Sequence, residues 1–165
     1  MQKVKIIFIG QAPPKTIRGR PFGRSALYKW FESVGITLDV VDECFEFGAL
    51  IDYFPGLKGK SHAIPTIEQI NEARPRLKEQ LLKFNPQIVV PIGKLSIGEC
   101  LDIENFNLSD YIGKEFSADP YKIFDRNLVV IPFPHPSGAS TWIYQKGNKE
   151  LLNKALKLIN DHLQI

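Results

Sequence analysis

Four short apolar stretches, at residues 4–9, 36–41, 87–92 and 128–132, set the strongest limit on how this chain can fold. They are rich in branched residues, and Gly10, Gly93 and the prolines from Pro132 onward punctuate three of them. A strand that is apolar along its whole length is buried on both faces, which is the condition of a parallel sheet covered by helices. The intervening segments carry helical spacing. Leu27, Trp30, Phe31 and Val34 fall on one face, with Ser25 as a start signal and Gly35 as a stop. Thr66 and Gln69 form a capping box that opens a helix with the stripe Ile67, Ile70, Leu77, Leu81 and Leu82. Pro75 is expected to kink or divide that helix. Residues 95–101 start another, and residues 149–163 form a last amphipathic one. Residues 45–51 are apolar but fit no single pattern.

Strands alternating with helices predict an α/β fold. In such sheets ligands bind outside the carboxyl ends of the strands. Two irregular loops occupy those ends. One runs over residues 10–14 after the first stretch, the other over residues 134–138 after the last, so the two are expected to share one cleft.

Composition narrows the class. A chain of 165 residues buries roughly 70% of its unfolded surface and needs no disulfide staples. No repeat or linker breaks it, so residues 1–165 read as one domain. The two cysteines, Cys44 and Cys100, form no C-x-x-C pair, and they read as buried small hydrophobes with no disulfide framework or metal site. No apolar run approaches the ~18 residues of a membrane span, and none resembles a signal-peptide core. The expectation is a cytoplasmic protein with no membrane partner. The net charge is only +3, yet residues 1–31 hold no Asp or Glu, while Lys3, Lys5, Lys15, Arg18, Arg20, Arg24 and Lys29 fall there. A block so one-sided favours an anionic partner such as a nucleic-acid backbone. The alternative is a basic loop balanced in space by acidic neighbours.

His135 stands between Pro134 and Pro136 at a strand end, where both flanking prolines restrict the backbone. An imidazole held there either caps a turn or offers a hydrogen bond to developing negative charge. His62 and His162 read as surface residues. There is no G-x-S-x-G nucleophile elbow, and neither phosphate-binding glycine motif is present.

The pair Gly10-Gln11-Ala12-Pro13 and His135-Pro136-Ser137-Gly138, each just after a buried strand, resembles the two signature motifs of the uracil-DNA glycosylase superfamily. Gly19-Arg20-Pro21-Phe22 with Gly23-Arg24-Ser25 resembles a segment of its iron–sulfur branch. Residues 64–94 resemble that branch's middle helix and third strand. The resemblance implies a three-layer α-β-α sandwich with a central four-stranded parallel sheet. It implies hydrolysis of the bond between an unwanted base and deoxyribose, and a partner in DNA containing a damaged base. By the same resemblance, His135 would stabilise charge on the leaving base, and Gln11 would hold the base or the attacking water. Gly10, Ala12 and Pro13 would line the base pocket, with Phe22 stacked on the flipped base. Ser137, Gly138 and Trp142 would enter the DNA. Lys15, Arg18, Arg20 and Arg24 would meet phosphates.

The sequence departs from that pattern in three places. Tyr53 and Ala73 stand where the iron–sulfur branch has cysteines, so no cluster and no other cofactor is expected. Ala49 stands near the position of a base-reading Asn, leaving Asp42 and Asp52 as other candidates there. Ala12 stands where efficient members carry an Asp; Asp52 is the carboxylate that could replace it. Two functions therefore follow: a glycosylase, or a glycosylase-like module that binds nucleic acid or a base-containing ligand without cutting. A monomer is expected in either case.

Overall fold

A computed structural model describes residues 3–15, 19–23, 25–59, 61–137 and 141–164. The chain runs β1 (Ile6–Gly10), α1 (Leu27–Ser33), α2 (Leu38–Cys44), β2 (Phe45–Ala49), a small hairpin β3 (Leu57–Lys58) and β4 (Ser61–His62), then α3 (Ile67–Phe84). It continues through β5 (Ile88–Pro91), α4 (Lys94–Leu101), β6 (Phe116–Ala118), β7 (Leu128–Val130) and α5 (Asn148–Leu163). Five strands form the main sheet in the order β2-β1-β5-β7-β6. The first four are parallel, and β6 pairs antiparallel with β7 from Phe116↔Val130 to Ala118↔Leu128. The expected four-stranded parallel sheet is therefore corrected to a mixed sheet of five. Three residues at an edge are too few to show a period, which is why β6 escaped notice.

The expected strand at residues 36–41 is also corrected. Those residues enter α2, because the Thr37 hydroxyl accepts the Val40 N–H at 3.4 Å and turns the chain. The second strand is instead the ambiguous stretch that follows, paired with β1 from Ile6↔Phe45 to Gly10↔Ala49. Phe45 and Phe47 both meet Phe8, at ring-centroid distances of 4.9 and 5.5 Å. That aromatic seam lies between β1 and β2 and outweighs the branched residues upstream.

The alternation of β1 divides the core between the two faces of the sheet. Ile6 and Phe8 join Leu27, Phe31, Val41 and residues of α5. Ile7 and Ile9 join Ile70, Leu77 and Leu81 of α3. The Thr66–Gln69 capping box is present in both directions. Pro75 lies inside α3 without dividing it. Ile67 and Leu82, read as part of the apolar stripe, are exposed. Ser25 precedes α1 by one residue more than a cap, yet its hydroxyl accepts the Leu27 N–H at 3.3 Å.

Candidate active site at the carboxyl edge of the sheet

The chain leaves β1 to form β2 on one side, then returns to form β5 on the other. The crevice of an open α/β sheet lies at such a reversal, here between β1 and β5. Gln11 follows β1 and Gly93 follows β5. His135 arrives from the neighbouring β7. All three meet: a Cβ placed on Gly93 would lie 3.6 Å from Gln11 Nε2 and 3.7 Å from His135 Cδ2. Gly93 has φ +85°, a conformation that glycine adopts without strain. The two loops predicted to share a cleft meet at Gly93, whose missing side chain lets Gln11 and His135 approach.

The backbone stitches this edge together. Leu50 N–H donates to Gly10 O at 2.9 Å, and Ile51 N–H to Gln11 O at 3.1 Å. Gly93 N–H donates to Phe133 O at 2.9 Å, and Ala26 N–H to Pro136 O at 3.1 Å. Each strand-end loop is thus tied to its neighbour before any ligand arrives.

The state of His135 follows from its surroundings. Ser137 N–H donates to His135 Nδ1 at 3.2 Å, so Nδ1 is the acceptor and the proton of the neutral ring sits on Nε2. Burial holds the imidazole pKa below its ordinary value, and the nearby charge of His62 pushes it the same way. The group is a neutral N–H donor, oriented from behind by its own loop. The sequence reading placed His62 at the surface and gave it no part at this site. It is exposed on the β3–β4 hairpin, its ring edge-on to Phe54 with centroids 5.3 Å apart, and only the tertiary fold brings its field to His135.

Phe22 lies across the start of the first motif. A Cβ on Gly10 would come within 2.7 Å of Phe22 Cζ, so the ring rests directly on the bare α-carbon. Phe22 is half-buried, with its centroid 6.1 Å from that of Phe47. Its φ of +60° is uncommon for a bulky residue and costs about 1–3 kcal/mol. Ser25 N–H at 2.9 Å and Ser25 Oγ at 2.7 Å both donate to Phe22 O and fix the turn. Ala12 and Pro13 are half-buried beside it in the chain.

The carboxylates considered from sequence are both engaged. Asp52 pairs with Arg76 at 3.2 Å, and Arg76 also donates to Ala49 O at 3.2 Å. Asp42 receives both arms of Arg20, at 2.5 and 3.1 Å, and this bidentate pair holds its carboxyl below the usual carboxylate range. The basic block is therefore partly balanced in space, since Lys3 likewise pairs with Glu43 at 2.8 Å. Lys15 is exposed. Arg18, Arg24 and Gly138 lie outside the described residues. Ser137 is placed by its bond to His135. Trp142 is anchored: its indole N–H donates to Ser109 Oγ at 3.3 Å, and Trp142 O accepts from the buried Asn148 side chain at 2.7 Å. Among the described residues no group of three or more His, Cys, Asp or Glu is placed to hold a metal, and no helix is long and apolar enough to cross a membrane.

The strand order, the bare Gly93 and the two facing motifs define a site at the carboxyl edge of an open α/β sheet. The chain matches the family model of the uracil DNA glycosylase superfamily over residues 1–160 and belongs to that superfamily. A comparison with curated proteins finds none that matches the chain.

Proposed function

We propose that the protein hydrolyses the N-glycosidic bond of a deaminated or otherwise unwanted base flipped out of DNA, with His135 as its main electrostatic catalyst. The observation that carries this reading is the Ser137–His135 hydrogen bond, which puts the ring proton of the neutral imidazole on Nε2, in a ring that meets Gly93 where Gln11 also stands. Cleavage of the glycosidic bond builds positive charge on the sugar and negative charge on the leaving base. A neutral, fixed N–H donor stabilises that negative charge without reorganising. The Phe22 ring, half-buried over Gly10, supplies a stacking partner for a base that has left its helix. Gln11 positions the base or water by its amide but accepts no proton. The first motif carries no carboxylate, so the reaction depends on departure of the base more than on activation of water.

One observation favours a second reading. Asp42 and Asp52 are both held by arginines, and Ala12 and Ala49 offer no side-chain acid or amide. A site so furnished also suits a module that holds a base without cleaving it. Base release from labelled oligonucleotides carrying uracil, hypoxanthine, xanthine or 5-substituted uracils separates the two. The expected result is release that falls about 10²- to 10³-fold in His135→Ala. No release from any of these substrates, with DNA binding intact and salt-sensitive, would establish the binding module instead.

A further inference from the structure

A second feature lies along the same edge of the sheet. Phe116 opens β6 and pairs with Val130 at the carboxyl end of β7. Because β6 runs antiparallel, its first residue lies at the carboxyl edge, and residues 102–115 lead into that edge. Phe106 is back beside the start of α4, where Lys94 Nζ sits 5.4 Å from its ring centroid. From there the rings form a ladder. The Phe106 and Tyr111 rings meet edge to face with centroids 5.0 Å apart, and those of Tyr111 and Phe116 are 5.3 Å apart and stacked. Two open clefts, of about 390 and 430 Å³, share Asn107 and Asp110; the three rings line the second, and Trp142 lines the first. Lys94 lines one and Lys114 the other. All three rings are half-buried, and among the described residues neither Tyr111 nor Phe116 belongs to either apolar core.

Aromatic side chains in a row, between lysines, in an open groove, match the chemistry of single-stranded nucleic acid. Unpaired bases pack on the faces and edges that the ring cluster leaves open, and phosphates follow the cations. A duplex keeps its bases stacked on each other and offers the ladder nothing. Lys94, which lines one cleft, directly follows Gly93 in the chain, and Gly93 packs on Gln11 and His135, so this bank starts beside the candidate site. Asp110 faces both clefts. It repels phosphate from the middle of the groove, and its carboxylate suits the exocyclic amine of a base.

We propose that this trough holds the single-stranded DNA flanking the flipped nucleotide, its bases against Phe106, Tyr111 and Phe116 and its phosphates along Lys94 and Lys114. The inference rests on the glycosylase reading and names the strand state which that site accepts. The far wall is rigid, since Ser109 Oγ donates to Asn148 Oδ1 at 3.1 Å and accepts the Trp142 indole N–H. Tyr144, in the short turn that begins at Trp142, is 83% exposed.

The test uses a fluorescent single-stranded oligothymidine with no target base, followed by anisotropy, against the whole protein and two variants. Tyr111→Ala and the exposed Lys114→Glu should each bind on the order of tenfold more weakly. Wild-type protein should prefer this strand to the same sequence in a duplex. Far-UV circular dichroism checks each fold, and Lys114→Glu decides the matter if Tyr111→Ala fails to fold. Unchanged affinity in a folded Lys114→Glu, or equal affinity for the duplex, overturns the trough. Binding that responds to these variants in a protein that releases no base leaves the trough standing and removes the glycosylase reading. Base release with unchanged strand affinity in the variants does the reverse.

Discussion

At Gly10 a single missing methyl group decides where an aromatic ring can lie. The Phe22 ring occupies the space that a side chain would take, 2.7 Å from the position of a Cβ. Gly10→Ala must push the end of that ring aside, a cheap movement for a flexible side chain but a costly one for stacking on a base. We expect stability close to wild type and affinity for target-containing DNA about tenfold weaker, in line with one lost base–aromatic stack. The two residues should also be coupled: adding Gly10→Ala to Phe22→Ala should cost nothing further. Additive losses in a KM comparison would separate the ring from the glycine and refute this reading. Much at this scale was legible in the sequence. Gly10, Gln11 and His135 stand at strand ends where an α/β sheet places its chemistry, and their motifs carry the resemblance. The left-handed φ of Phe22 was not legible, since nothing in its neighbours requires it. Nor was His62, whose field at His135 depends on a two-residue hairpin some seventy positions away in the chain.

Among the elements, α3 does more than cover a face of the sheet. One turn apart on its inner side, Arg76 and Gln80 reach over to β2 and the loop beyond it. Gln80 donates to Phe47 O at 3.1 Å, while Arg76 holds Ala49 O and the Asp52 carboxylate. The amides that follow, Leu50 and Ile51, lace onto Gly10 and Gln11. Arg76→Met keeps the apolar stem and removes this latch. A stability loss of about 1 kcal/mol is expected, because the ion pair itself is partly exposed and contributes little. The sharper readout is hydrogen exchange, which should quicken at Leu50 and Ile51 well before the centre of β1. Unchanged protection at those two amides would show that β1 alone positions the loop. The start of α3 was readable from Thr66 and Gln69, because a capping box is a local device. Residues 36–41 misled, because Thr37 caps a helix through its hydroxyl while the branched residues around it favour a strand. The choice between them was made by Phe45 and Phe47 packing on Phe8, a contact between distant segments.

For the molecule as a whole, the neutral His135 makes stability depend on pH. Burial holds its folded pKa below the unfolded value of roughly 6.5. Between those two values the unfolded chain binds the extra proton, so stability rises with pH across that window. The contribution is complete above about pH 6.5 and is lost as pH falls through the folded pKa. Urea melts of wild type and His135→Gln from pH 5 to 8 should therefore diverge in pH dependence, the variant having the flatter slope on the acid side. Parallel curves would mean that His135 is as free to protonate folded as unfolded. The layering was legible, since apolar strands between helical segments require a covered parallel sheet. Its fifth strand and the groove beside it were not, because Tyr111 and Phe116 acquire a common surface only when β6 turns back along β7. The bare end of β5 has one more consequence. β1 and β7 each lie one strand spacing from it, so the tethers of Gln11 and His135 stand about 10 Å apart across a notch. Sheet hydrogen bonding fixes the width of that notch, whatever residues stand on its banks. On the glycosylase reading proposed above, replacing Gln11 or Ala12 on one side alters the reaction while the imidazole opposite keeps its place, so one frame can be refitted for different bases and rates without being rebuilt.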